Sequence, residues 1–95
     1  MNIESSSNIV KIDGNIKSIS DFQQIKRIVD SLVAIHKNII INIIDSISLT
    51  SSVIGYLNKL VLKDKIGISI NIGSSQLMEL IDDLNLTSTF KAKRI

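Results

Sequence analysis

The sequence predicts an α/β domain: a mixed, mostly parallel sheet of four or five strands packed with three or four helices. Three observations predict it. Short β-branched runs alternate with amphipathic stretches of ten to fifteen residues, the pattern of βαβ units. The length of 95 residues suits a single domain, residues 1–95, with one modest core. Hydrophobic residues make up 44% of the chain and aromatic residues only 3%, so that core is aliphatic and rich in Ile.

The elements follow in order. "NIVKI", Asn8 to Ile12, alternates polar and apolar residues, and "DG" at Asp13 and Gly14 punctuates it, so a strand and a turn are expected. In "SISDFQQIKRIVDSLVAIHK" the residues Phe22, Ile25, Ile28, Val29, Leu32 and Val33 fall at three- and four-residue spacing, one apolar stripe on a helix. Ser20 with Gln23 fits a capping box and sets the expected start of that helix.

"NIIINII", Asn38 to Ile44, is almost wholly β-branched and too short for a helix. It reads as a central strand buried on both faces. After the hydroxyl triplet Thr50, Ser51 and Ser52, the residues Val53, Ile54, Leu57, Leu60 and Val61 form the apolar side of a second helix. "GISINIG", Gly67 to Gly73, is an alternating strand, and "SSQLMELIDDLNL" is a third helix capped by Ser74 or Ser75. "TFKAKRI" closes the chain as a short edge strand. No internal repeat or linker interrupts this order.

Composition argues against several functions. The formal net charge is +2 and the only basic run is the terminal "KAKRI", so no nucleic-acid partner is expected. There is no cysteine and only one histidine, which leaves zinc without its usual ligands. His36 follows the first long helix and reads as a solvated helix-end residue. Asp82 and Asp83 are adjacent on a helix and point about 100° apart, too divergent to face each other across a substrate. No glycine-rich phosphate loop occurs, and neither Ser51 nor Ser52 has a second His or a Lys pattern to activate it. The expectation is a protein that is not an enzyme and takes no cofactor. The opening residues lack the charged and apolar regions of a signal peptide, and no apolar run approaches the ~18 residues needed to span a bilayer. A soluble cytoplasmic protein without membrane insertion is therefore expected, and the sequon at Asn85 to Thr87 is read as chance.

One hydroxyl of the triplet is needed to cap the second helix; the others sit at the positive end of its dipole. "IIINIIDSISLTSSVIGYL", then "GISINIG", then "LMELIDDLNLTSTF" with Asn85 in place of the usual glycine, resembles a STAS domain over nearly the whole chain. This is the fold of bacterial anti-sigma factor antagonists, in which a buried strand leads into a D-S-[ST]-G-L-G motif opening a helix. An ungapped count from the strand places Ser52 on the family's phosphorylated serine and Ser51 on the preceding Asp, similar to the stressosome scaffold branch. Anchoring on Gly55 makes Ser51 the alternate phosphosite, with Thr50 in the place of the Asp. Lys17 lies about where relatives carry an Asp.

The resemblance implies a protein-binding module in signal transduction and transcription regulation. Its partner would be an anti-sigma factor with a serine kinase fold, and a serine phosphatase could reverse the modification. The docking surface would comprise Asp13, Asn15, Lys17, Thr50, Ser51, Ser52, Val53 and Tyr56. The alternatives are a non-switching STAS subunit docked on an ABC lipid transport complex, or a scaffold component. The resemblance is compatible with a homodimer.

Overall fold

The computed structural model describes residues Met1–Ile95. Five strands and three helices follow the order β1 (Asn2–Ser6), β2 (Ile9–Asp13), α1 (Ile19–Val33), β3 (Asn38–Ile43), α2 (Ser51–Leu62), β4 (Gly67–Ile72), α3 (Ser75–Asp83) and β5 (Lys93–Arg94). They form one mixed sheet in the spatial order β1-β2-β3-β4-β5. β1 and β2 are antiparallel, and every later pairing is parallel.

The register aligns Val10 with Ile41 and Ile70, and Ile12 with Ile43 and Ile72. Each of these six side chains is at most 1% exposed, and they share one cluster with Ile25, Val29, Val53, Leu57, Leu77 and Ile81 from the three helices. The strand order explains why the helices lie on one side. Each parallel connection steps to the next strand in the same direction, and right-handed crossovers then place every helix on the same face.

The opposite face has no helical cover, which corrects the expectation for β3. Ile39, Ile41 and Ile43 are buried, but Ile40 and Asn42 between them are only half-buried. Asn42 instead accepts a hydrogen bond of 2.7 Å from the Asn71 amide of β4, on the face turned from the helices. A run of β-branched residues thus marks a strand without proving that both its faces are covered.

Two further differences concern the amino-terminal third. β1 occupies "NIESS", which reads as polar sequence because only Ile3 is even half-buried. Helix α1 begins two residues earlier than the Ser20 box implies. Ser18 is the cap in extended conformation, its hydroxyl accepts from the Asp21 N–H at 3.0 Å, and the Asp21 carboxylate accepts from the Ser18 N–H at 3.3 Å and the Lys17 N–H at 3.0 Å. The Lys17 N–H holds the Asp21 carboxyl below its ordinary range; desolvation opposes it, and the two Ser18 bonds add to the lowering. Ser18→Ala is expected to cost about 1 kcal/mol, whereas Ser20→Ala stays within ~0.5 kcal/mol; urea titration of the two variants separates them.

Helices α1 and α2 are joined by an aromatic and polar contact. Tyr56 stacks edge-on against Phe22 with ring centroids 6.1 Å apart, and its hydroxyl donates to the Asp30 carboxylate. Burial, and then the carboxylate beside it, push the Tyr56 phenol above its ordinary range. A raised folded-state value means that this contribution is complete below the free tyrosine range of about 10 and is lost as pH rises above it. Tyr56 is the only tyrosine, so the tyrosinate absorbance reports it alone. In the folded protein that band is expected to rise only well above pH ~10, returning to ~10 in urea.

Candidate functional site

The sequence-derived site falls at the carboxyl ends of β2 and β3, where the two following loops meet. In open α/β sheets this edge presents the loops and helix starts that carry function. Three hydrogen bonds tie the loops together. The Asp45 carboxylate accepts from the Gly14 N–H at 2.6 Å, the Asn15 side-chain oxygen accepts from the Ile47 N–H at 3.2 Å, and the Ser46 hydroxyl accepts from the Ile16 N–H at 3.0 Å. Ser46 is the one buried polar residue; its hydroxyl also donates to the Ser48 carbonyl at 2.8 Å. Gly14 adopts φ +90°, the left-handed conformation expected of the "DG" turn.

Losing the Ser46 hydroxyl would leave the buried Ile16 N–H and the Ser48 carbonyl without that partner. Ser46→Ala is therefore expected to cost about 1–3 kcal/mol. Because the lost bonds lie in the loops, hydrogen exchange should accelerate at Ile16 and Ile47 more than in the strand interior.

The triplet divides its duties. Thr50 is the α2 cap, in extended conformation, and its hydroxyl accepts from the Val53 N–H at 3.3 Å. Ser51 and Ser52 are the first two helical residues and are exposed. Ser52 lines a cleft of about 120 Å³ together with Thr50 and with Lys17, Ser18, Ile19 and Phe22 from the start of α1. Ser51 is not among the lining residues. The first turn of α2 carries no acidic side chain, so its exposed N–H end is offset by no charge of its own.

Of the residues expected at the surface, Lys17, Thr50 and Ser52 share the cleft, and Ser51 lies beside it. Asn15 serves as a clip between the loops. Asp13 pairs with Lys11 at 3.6 Å. Val53 and Tyr56 lie instead in the core, 2% and 8% exposed, because the α2 face that carries them packs onto the sheet and α1. Ser18 and Ile19 fall outside a helix that starts at Ser20, and Phe22 reads in sequence as part of the apolar stripe, so the pattern assigns none of the three to the site. Ile19, 76% exposed, and Ile47, 50% exposed, add apolar surface at this end of the sheet.

Elsewhere a shallower depression of about 390 Å³ between α3 and β5 is lined by Ser75, Met78, Glu79, Asp82 and Arg94, with charges of both signs. His36 is half-buried beyond α1 and donates its backbone N–H to the Leu32 carbonyl at 2.8 Å. No group of three His, Asp or Glu side chains is placed to hold a metal ion, and no helix is long and apolar enough to cross a membrane. No protein-family model, curated protein or solved structure matches the chain.

Proposed function

We propose that the chain is a protein-binding module of the anti-sigma factor antagonist type, cytoplasmic and bacterial, whose surface around Ser52 docks on an anti-sigma factor with a serine kinase fold. Phosphorylation of Ser52 blocks that docking. The reading rests chiefly on the position of Ser52, an exposed hydroxyl in the first turn of α2 that lines the cleft between two helix starts. A phosphate there adds about −1.5 to −2 charges beside Lys17, the one charged side chain of the cleft, and so reverses the sign of the docking surface. The positive end of α2 tolerates the charge within the fold, so the penalty falls on the complex.

A second reading draws support from Ile19 and Ile47. Exposed aliphatic side chains beside a helix start suit permanent docking, as in the STAS subunit of an ABC lipid transport complex, where the hydroxyl is a contact and is never modified. The test is incubation with the partner kinase and ATP, followed by mapping of phosphate by mass spectrometry. Modification of Ser52 is expected, with Ser51 as the alternate. A pull-down then compares wild type, Ser52→Ala and Ser52→Asp. Loss of partner only in Ser52→Asp supports the switch. Equal retention by all three, with no phosphate on either serine, supports permanent docking.

A further inference from the structure

The end of the sheet opposite Ser52 gathers residues that are scattered in the sequence. Helix α2 runs from Ser51 to Leu62, which separates its two ends by about 18 Å. At the far end the connection from α1 to β3 and the connection from α2 to β4 lie side by side. The Gly67 N–H donates to the Lys37 carbonyl at 2.8 Å, and Asn38 pairs with Gly67 in the ladder. These two corners carry Ile35, 77% exposed, and Leu62, 59% exposed. Lys37, Lys63 and Lys65 on the same corners are all exposed. The one acidic residue there, Asp64, pairs with Lys59 at 4.0 Å.

We propose that this corner pair is a peripheral docking surface for an anionic lipid bilayer. Ile35 and Leu62 enter the headgroup layer, and the three lysines face lipid phosphates. The chemistry favours lipid over other polyanions. Two aliphatic side chains gain nothing from a nucleic-acid backbone, and the corners have no Phe, Tyr, Trp or Arg with which to read bases; the one imidazole there, His36, is half-buried. A protein interface is organised around aromatic or Arg anchors and is depleted in Lys. Lysines with long apolar stems beside exposed aliphatic residues suit the boundary between headgroups and acyl chains, where the stem lies in the apolar layer and the ammonium stays with phosphate. Bound in this way, the protein turns its Ser52 end away from the membrane, free for a partner.

The test is flotation of the whole chain with phosphatidylcholine vesicles, with and without phosphatidylglycerol. Binding is expected only with the anionic lipid, and it should weaken as salt is raised. The triple variant Lys37→Glu, Lys63→Glu, Lys65→Glu should reduce partitioning at least ~10-fold, since each lysine near an anionic surface contributes about a factor of five. Ile35→Ser with Leu62→Ser, which leaves the charge unchanged, should also reduce it. All five positions are exposed, and circular dichroism checks that both variants remain folded. Equal partitioning onto neutral vesicles, or undiminished binding by the triple variant, would overturn the proposal. So would a charge-dependent interaction seen with duplex DNA or an acidic protein but not with vesicles. Ser52→Asp should leave vesicle binding unchanged, which keeps this result separate from the fate of the Ser52 reading.

Discussion

Phe90→Ala is expected to destabilise the protein by about 3–5 kcal/mol, the range for emptying a fully buried aromatic site. Phe90 is 0% exposed and heads the group of large, fully buried side chains. It sits in the irregular segment between α3 and β5, where a side chain would ordinarily be dispensable. Here the same residue also completes the sheet: its carbonyl accepts from the Ile70 N–H at 3.1 Å, and its own N–H donates to the Leu86 carbonyl at 2.9 Å. The void therefore opens beside the acceptor of the Ile70 N–H on the outer edge of β4. A domain of this size holds roughly 5–14 kcal/mol in total, so the variant should lose a large share of it and melt on the order of 20 °C lower. Phe90→Leu, which keeps most of the volume, should lose under ~1.5 kcal/mol. A thermal melt showing the alanine variant within ~1 kcal/mol of wild type would mean that the segment does not anchor the core.

Gly73→Ala is expected to cost about 2–4 kcal/mol by a different route. A Cβ at Gly73 would overlap the Ile44 carbonyl oxygen and lie 2.9 Å from its carbon, both backbone atoms of the residue that follows β3. That wall cannot retreat freely. The Gly73 N–H donates to the Ile43 carbonyl at 2.8 Å, and the Ile44 N–H donates to the Ile12 carbonyl at 3.0 Å, so the three strands are tied at this level. Relief must come from the β3–α2 loop, which begins with Ile44 itself and carries the Asp45 and Ser46 clips. Gly73→Ala should accordingly disturb the Ser52 cleft as well as stability, a change that chemical-shift differences at Gly14, Ile16 and Ile47 would register. Gly67→Ala is the control. Its nearest obstacle is the tip of the exposed Asn38 side chain, which can swing aside, so the cost should stay within ~1 kcal/mol.

Much of the architecture is legible in the residues because one face of each helix and of the inner strands β2, β3 and β4 must be apolar. The spacing of Ile25, Val29 and Leu32 and the alternation of Ile68, Ile70 and Ile72 each reflect a single buried face. What alternation could not reveal is how many faces of β3 are covered, since Ile40 satisfies strand preference on either side. The clue was Asn42, which stands beside Asn71 of the next strand on the uncovered side. The Ser20–Gln23 pair misplaces the start of α1, because Asp21 at the third position after Ser18 completes a capping box as well as a Glu or Gln does.

The candidate site was legible in type and only partly in membership. The hydroxyl triplet announces a helix start, and the cap is one of its members. Which hydroxyl is consumed depends on backbone angles at Thr50, and that choice leaves Ser52 free. The Asp45, Ser46 and Asn15 bonds join residues about thirty positions apart, a separation at which no local pattern operates.

The strictly sequential strand order also bears on how the chain reaches this state. Val10 meets Ile41, and Ile41 meets Ile70, so each strand pairs only with its immediate predecessor and successor along the chain. No strand must wait for a distant segment to be inserted between it and its neighbour: β1 and β2 close as a hairpin, and every parallel closure spans one helix. Folding can then advance as a ratchet from either side of β3, faster than a sheet of equal size whose centre is supplied by a late segment. Stopped-flow refolding should show one phase without a long-lived intermediate, and β5, which adds only two paired residues, should be the last to gain protection.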